Sequence, residues 1–310
     1  MTSADRWATQ LLLCALVGAI LLVLAPAALT RTSLTDTAGN SMRLGAYDPY
    51  GTFANDPRIG IEHVYVPWQD VNLASLDSVD RYARERARSL LITVEPWSWS
   101  RASKLVSPAE LHSGIMAGRY DPAILALCKT ATLLQSQVTI RWAHEMDLQS
   151  APYPWSRWRP AEYIEAYRHF VDTCRQVANN IKFMWSPRGE ANLRDYYPGG
   201  DYVDSIGLTI FGYQKYEVAL YGKALTLAER LKSPYELVIE YGKELYITEY
   251  GCYGDTGYMK RCIEEGKAPG ANFSKIAGIV YFNEIDPHQW QPHGSPDWRI
   301  FSKFFAETKR

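Results

Sequence analysis

Gln137-Val138-Thr139-Ile140-Arg141-Trp142-Ala143-His144-Glu145 decides how this chain reads. Val138, Thr139 and Ile140 are β-branched and Trp142 is aromatic, which suits a short strand with both faces covered. The run ends in a glutamate. On either side lie amphipathic stretches, Pro122 to Leu134 and Pro160 to Val177, each with a proline near its start where the missing N–H costs a helix little. Strand between helices is the unit of a parallel sheet. Working outward, seven more candidate strands appear: Leu44 to Tyr47, His63 to Pro67, Leu90 to Glu95, Ile181 to Ser186, Asp204 to Thr209, Leu245 to Glu249 and Ile276 to Phe282. Helices are expected over Ser78 to Ser89, Ala224 to Lys232, Tyr258 to Glu265 and Trp298 to Thr308. Eight strands in this alternation predict a closed (β/α)8 barrel of the TIM type. No Gly-x-Gly-x-x-Gly follows the first strand, which removes support from a dinucleotide-binding sheet.

The chain has 310 residues. The barrel is placed at 43–310, with 31–42 as a polar spacer and 1–30 as a separate hydrophobic helix. That helix contains Leu11 to Leu29, an uncharged run between Arg6 and Arg31. A run of about 18 such residues just suffices to span a bilayer. It reads as a membrane anchor or as a secretory signal, with Ala25-Pro26-Ala27 as a small-x-small cleavage site. Its length for a signal core favours the anchor. Either reading exports the barrel and keeps it on the extracytoplasmic side of the membrane or releases it. The formal net charge is −1 with no long basic run, so a nucleic-acid partner is not expected. Four cysteines follow the hydrophobic run and allow three pairings. Cys128 and Cys174 fall on helices flanking one strand, and Cys252 and Cys262 would close a short loop after Glu249; four free thiols are the alternative. Their spacing does not suggest a zinc site, and no metal or cofactor is called for.

Chemistry-bearing residues recur at the C-terminal ends of the strands, where barrels of this kind carry their sites. Glu95 and Trp97 close strand three, His144 and Glu145 strand four, Trp185 and Ser186 strand five, and Glu249 strand seven. A glutamate where an apolar strand opens into a loop packs badly and is well placed for chemistry. Two of them on strands four and seven face each other across a barrel mouth. Retaining hydrolysis of a glycosidic bond needs two carboxylates roughly 5–5.5 Å apart, one to protonate the leaving oxygen and one to attack the anomeric carbon. Glu145 is expected to be the acid/base and Glu249 the nucleophile, against the bland reading of ion pairs at the rim. Trp97, Trp185 and Trp155 are candidate sugar-stacking platforms, set against rim or loop packing. Glu95 is a candidate acceptor for a sugar hydroxyl, and Glu284 and Asp286 candidate cleft residues. Arg141, four residues before Glu145 and so about 13 Å below it by strand rise, is expected to order buried carboxylates. His63 is expected in the core. The charge alternation of Arg81 to Arg88 reads as a solvated helix face.

Arg141-x-x-His144-Glu145-Met146, with Thr248-Glu249-Tyr250-Gly251, resembles glycoside hydrolase family 26, a β-mannanase-containing family of the clan of (β/α)8 retaining hydrolases. Tyr153-Pro154-Trp155, Trp185-Ser186-Pro187, Tyr197-Pro198-Gly199 and Asp201 to Gly207 carry the resemblance further. It implies Glu145 as acid/base, Glu249 as nucleophile and His144 as a substrate contact. The chain departs from the family at Asp147, where Asn is common; a carboxylate there could raise the pKa of Glu145 or alter which sugar hydroxyl is held. It departs again after strand six, where Leu208-Thr209-Ile210-Phe211-Gly212-Tyr213 replaces a motif whose tyrosine hydrogen-bonds the nucleophile, leaving Tyr213 as the candidate for that role. The resemblance implies an endo-acting hydrolase of a β-linked polysaccharide, of β-mannan or β-glucan type. The hydrophobic run next to the spacer suggests a secreted exopolysaccharide as substrate and a polysaccharide synthase complex as neighbour. A transglycosylase and a non-catalytic glycan-binding or assembly protein are the rival readings.

Overall fold

The computed structural model describes residues 42–100, 106–287, 290 and 292–300. Eight parallel strands close into a barrel in sequence order: β1 (Arg43–Tyr47), β2 (Ile59–Pro67), β3 (Ser89–Glu95), β4 (Val138–Trp142), β5 (Lys182–Trp185), β6 (Ser205–Tyr213), β7 (Glu244–Tyr253) and β8 (Ile276–Phe282). Helices α1 (Ser75–Arg84), α2 (Pro108–Met116), α3 (Asp121–Leu133), α4 (Pro160–Arg175), α5 (Gln214–Tyr221), α6 (Leu227–Val238) and α7 (Thr256–Lys267) alternate with them. The predicted barrel is therefore present. The hydrophobic run at Leu11 to Leu29 lies outside the described residues. Among those described, no helix is long and apolar enough to cross a membrane. The expected helix at Trp298 to Thr308 also falls mostly outside them, and Trp298 to Ile300 is not helical.

Two helices escaped the sequence reading. The first, α2, begins with a capping box: the Ser107 hydroxyl accepts from the Glu110 N–H, and the Glu110 carboxylate accepts from the Ser107 N–H. Pro108 takes the first helical position. The second, α5, follows β6 without a loop and exposes Val218, Leu220 and Tyr221, so no apolar stripe marks it. The charge alternation after Arg81 needed correction at one end. Helix α1 stops at Arg84, and Arg88 is buried, with its guanidinium 2.7 Å from Glu62 and donating to the Phe53 carbonyl. Burial leaves Arg88 no water, so it takes a carboxylate and a carbonyl instead.

Strand residues alternate between two environments. Facing outward, Trp142 stacks on Phe170 of α4 at 5.1 Å, and Ile92, Val94, Ile140 and Ile206 join the same barrel–helix core. Facing inward, Ile61, Leu91, Met184 and Val280 form a separate plug, with Tyr246 against it. Gly45 and Gly207 keep this interior open: a Cβ on Gly45 would lie 2.7 Å from the Ile61 Cβ. Above the plug the inward side chains become polar: His63, Thr93, Arg141, Ser186 and Thr248, all buried. The barrel thus has an apolar floor, a hydrogen-bonded collar and, above it, carboxylates. Two disulfides are present, Cys128–Cys174 between α3 and α4 in the helix layer and Cys252–Cys262 between barrel strand β7 and α7. Both juxtapositions anticipated from the sequence are thus present.

Candidate active site

Glu249 owes its orientation to a bulge. In the β6–β7 register Leu208 pairs with Ile247 and Thr209 with Glu249, so Thr248 is the extra residue. Simple alternation from Ile247, which is in the outer core, would turn Thr248 inward and Glu249 out into the helix layer. The additional residue lets both face the barrel axis. Thr248 is pinned there, its hydroxyl donating to the Leu208 carbonyl and lying 3.3 Å from the Ser186 hydroxyl. Glu249 then meets Arg141 at 2.7 Å and is 7% exposed.

The Arg141 guanidinium is itself fixed from two sides. Its Nε donates to Ser186 Oγ at 2.8 Å and its Nη1 to Thr93 Oγ1 at 3.2 Å. Thr93 lies 2.7 Å from His63 Nε2. A chain of contacts therefore runs from His63 through Thr93 and Arg141 to Glu249. His63 is a core residue, as the sequence suggested, and Arg141 does order a buried carboxylate. Its expected distance from Glu145 needed correction, because β4 ends at Trp142. The next residues turn through left-handed backbone, with φ of 46° at Ala143 and 56° at Glu145. This fold-back is locally strained for residues with a Cβ. It is held by the Ala143 N–H on the Val94 carbonyl and the Glu145 N–H on the Ser186 carbonyl. Glu145 is thereby brought over the mouth, within electrostatic reach of Arg141 and Glu249.

The pKa of Glu145 is pushed up to about 7, first by burial and then by the Glu249 charge, against the pull of Arg188, Arg141 and the Thr209 hydroxyl. Asp147 has no part in this, contrary to expectation. Its two oxygens accept the N–H groups of Arg188, Gly189 and Glu190 at 2.6–2.9 Å, so it shapes the loop after β5.

Of the other candidates, Glu95, Trp97 and His144 gather round this pair. Glu95, buried at the end of β3, accepts the indole N–H of Trp97 at 2.7 Å and of Trp99 at 2.6 Å. Burial raises its pKa from the ordinary carboxylate value, with the Glu249 charge adding to the effect. Trp97 is half-buried and stands edge-on to Tyr153 and Trp155. His144 Nε2 lies 3.2 Å from the Tyr153 hydroxyl. Three candidates are not placed to meet a sugar directly. Trp155, 0% exposed, stacks on Tyr153 at 4.7 Å and donates to the His144 carbonyl, so it supports its neighbours from behind. Trp185, also 0% exposed, points outward from β5 and packs edge-on against Tyr197 and Tyr241. It is the residue after inward-facing Met184, and alternation sends it to the helix layer. Tyr213 donates to the His293 carbonyl at 2.8 Å. It lies four strand residues beyond Thr209, the partner of Glu249, or about 13 Å along β6. It therefore does not reach the nucleophile position. Asp286 accepts two indole N–H groups, from Trp290 and Trp298, and Glu284 accepts the Tyr50 hydroxyl.

Two residues near the carboxylates were missed. Tyr153 has all three glutamates, Glu145, Glu95 and Glu249, near enough to raise its phenol, after burial as the main cause. Tyr65 of β2 lies against Glu249. Tyr65 was findable, since it sits two residues after His63 and so on the same face of the strand.

A closed (β/α)8 barrel with a strand-four and a strand-seven glutamate at one mouth defines the class of barrels with paired carboxylates. Residues 124–238 match the family model described as Glycosyl hydrolase family 26. The resemblance read from the motifs is thus shown over a segment that holds Glu145 and ends before Glu249. Over 104 residues the chain is 30% identical to "Beta-1,3-xylanase TXYA" of Vibrio sp., covering 31% of this chain and 22% of that protein. A "Beta-1,3-xylanase" of Alcaligenes sp. is 28% identical over 107 residues, 32% of this chain and 22% of that one. The match thus spans about a fifth of the length of these relatives. Among solved structures, GH26C of Muricauda sp. aligns with a TM-score of 0.63 at 16% identity, covering 86% of this chain and 84% of its own. A family 26 β-mannanase of Bacteroides ovatus aligns at 0.55 and 16% identity, covering 79% and 77%. At these identities the structural likeness concerns the fold.

Proposed function

We propose that this chain is a retaining endo-β-glycosidase that acts on a β-linked polysaccharide. Glu145 gives its proton to the leaving glycosidic oxygen while a Glu249 oxygen bonds to the anomeric carbon. Water then adds its oxygen to that carbon and its proton to Glu145, and the bond to Glu249 breaks. The observation that carries this reading is the unequal setting of the two glutamates. One is buried without a direct cation and kept able to hold a proton near neutrality. The other is seated 2.7 Å from a guanidinium that is itself tied down. Unlike settings for two neighbouring carboxylates separate an acid from a nucleophile. In this reading Glu95, Trp97, His144 and Tyr153 line the sugar site, with Trp155 and Arg141 as positioning residues.

The relatives named as β-1,3-xylanases and the neighbours named as β-mannanases support β-1,3-xylan and β-mannan as first substrates to try. The uncharged run at Leu11 to Leu29 supports an exported, membrane-tethered enzyme. There it would trim a polysaccharide leaving a synthase.

The test is incubation of the full chain with β-1,3-xylan, β-mannan, mixed-linkage β-glucan and cellulose derivatives, followed by product sizing. Glu249→Ala should abolish cleavage, and azide should restore part of it by replacing the lost nucleophile. Products longer than the substrate would mark a transglycosylase. Turnover by Glu249→Ala at the wild-type rate without azide would remove Glu249 from the mechanism. Silence of the folded wild-type chain across the panel would favour the glycan-binding alternative.

A further inference from the structure

On β6, the residue level with Glu249 is Thr209, and the nearest tyrosine of that strand is turned to the His293 carbonyl. The tyrosine that lies near Glu249 belongs instead to β2. Tyr65 stands in β2 beside Thr93 of β3. Its ring is fixed by four others: Tyr47 at 4.9 Å, His63 at 4.5 Å, His144 at 6.0 Å and Phe282 at 6.3 Å. These rings come from β1, β2, the turn after β4, and β8, so the phenol has little freedom to swing. Its oxygen is shut off from solvent and completes no hydrogen bond to another described group, and the same holds for Arg141 Nη2, while Glu249 Oε1 lies 2.7 Å from Arg141 Nη1. A buried phenolic O–H left without a partner is unfavourable. Two such donors beside one carboxylate mark a place where a small rotation, or a bound sugar, completes the set.

We propose that Tyr65 is the positioning residue for the nucleophile, its hydroxyl donating to the Glu249 carboxylate. This rests on the reading of Glu249 as nucleophile. Burial is the main cause that raises the phenol's pKa, and the Glu249 charge is the next, so Tyr65 keeps its proton throughout and serves only as a donor. Between Arg141 and Tyr65 the carboxylate is held from two directions, which restricts its rotation to that needed for attack on the anomeric carbon. Tyr47, Glu95, Glu145 and Tyr153 complete the titratable surroundings of Glu249.

Tyr65→Phe keeps the ring contacts and removes only the donor. On the polysaccharide that the wild type cleaves, kcat should fall about 10- to 100-fold, the range expected for a lost hydrogen bond to a charged group. KM should stay within about twofold, because the substrate's own contacts remain. A kcat within twofold of wild type would overturn the proposal, since a purely structural tyrosine would alter stability alone. A second measurement needs no turnover. Urea unfolding midpoints of Tyr65→Phe, Glu249→Ala and the double variant form a cycle. The proposal expects the Tyr65→Phe shift to vanish or reverse in the Glu249→Ala background. Additive shifts would show that hydroxyl and carboxylate do not interact, whether or not a substrate has been found. Failure of the glycosidase reading shows separately, as Glu249→Ala turning over like the wild type.

Discussion

Glu145 carries the pH dependence of the reaction proposed here. Its carboxyl is pushed up to about 7 by burial and by Glu249. An acid must be protonated to donate, so the competent form is present below about 7 and is lost as pH rises through that value. The alkaline limb of kcat/KM should therefore lie near pH 7. The same shift has a stability sign. Between the ordinary glutamate range and about 7, folded Glu145 holds a proton that the unfolded chain has released, so folding weakens as pH rises through that window. Glu145→Gln should accordingly raise Tm at pH 8 more than at pH 4, where the wild-type side chain is neutral in both states. An equal effect at both pH values would mean that burial does not penalise the charge. At this scale the sequence was partly legible. A glutamate at a strand end is visible in one dimension. The use of Asp147 is not, because its three N–H partners lie more than forty residues away on the loop after β5.

At the scale of the element, the β7 bulge separates a site from a surface. Alternation along Ile247-Thr248-Glu249 predicts one inward side chain of the last two, and the bulge supplies both. Gly207 makes room for it, since a Cβ there would lie 2.5 Å from Thr248 Cγ2 and 2.9 Å from Met184 Sδ. Gly207→Ala should push Thr248 off the Leu208 carbonyl and swing Glu249 from Arg141. Overpacking of this kind costs about 1–3 kcal/mol. Activity should fall by at least tenfold while the circular dichroism spectrum remains that of a barrel. Activity near wild type would mean the bulge tolerates displacement. Trp185 teaches the same lesson in reverse. Its place at the end of a strand suggested the cleft, but the residue parity set by Met184 sends it outward, and parity is only known once the register is known.

For the whole molecule, one disulfide ties two helices that flank β4 and the other ties β7, which bears Glu249, to the helix layer. Cys128–Cys174 encloses β4, and Cys252–Cys262 links β7, three residues past Glu249, to α7. Sequence separations of 46 and 10 correspond, in the chain-entropy model, to about 4 and 3 kcal/mol. Replacing the first pair by serine should therefore lower the urea midpoint more than replacing the second. The second should cost relatively more activity, because β7 beyond the bulge loses its anchor to α7. The reverse order in both measurements would detach the disulfides from these roles.

The sequence by itself determined the barrel, the strand order and the two glutamates at strands four and seven. Those rest on local alternation and on residues unsuited to packing, and both are written along the chain. It also placed Cys128 near Cys174, because helices on either side of one strand must be neighbours. The tertiary structure alone decided which rings face the site, which carboxylate is spent on backbone N–H groups, and that Tyr65 stands against Glu249. Those are matters of register, of a single extra residue in β7 and of a left-handed turn after β4. Each depends on partners distant in sequence, whose approach is settled only when the barrel closes.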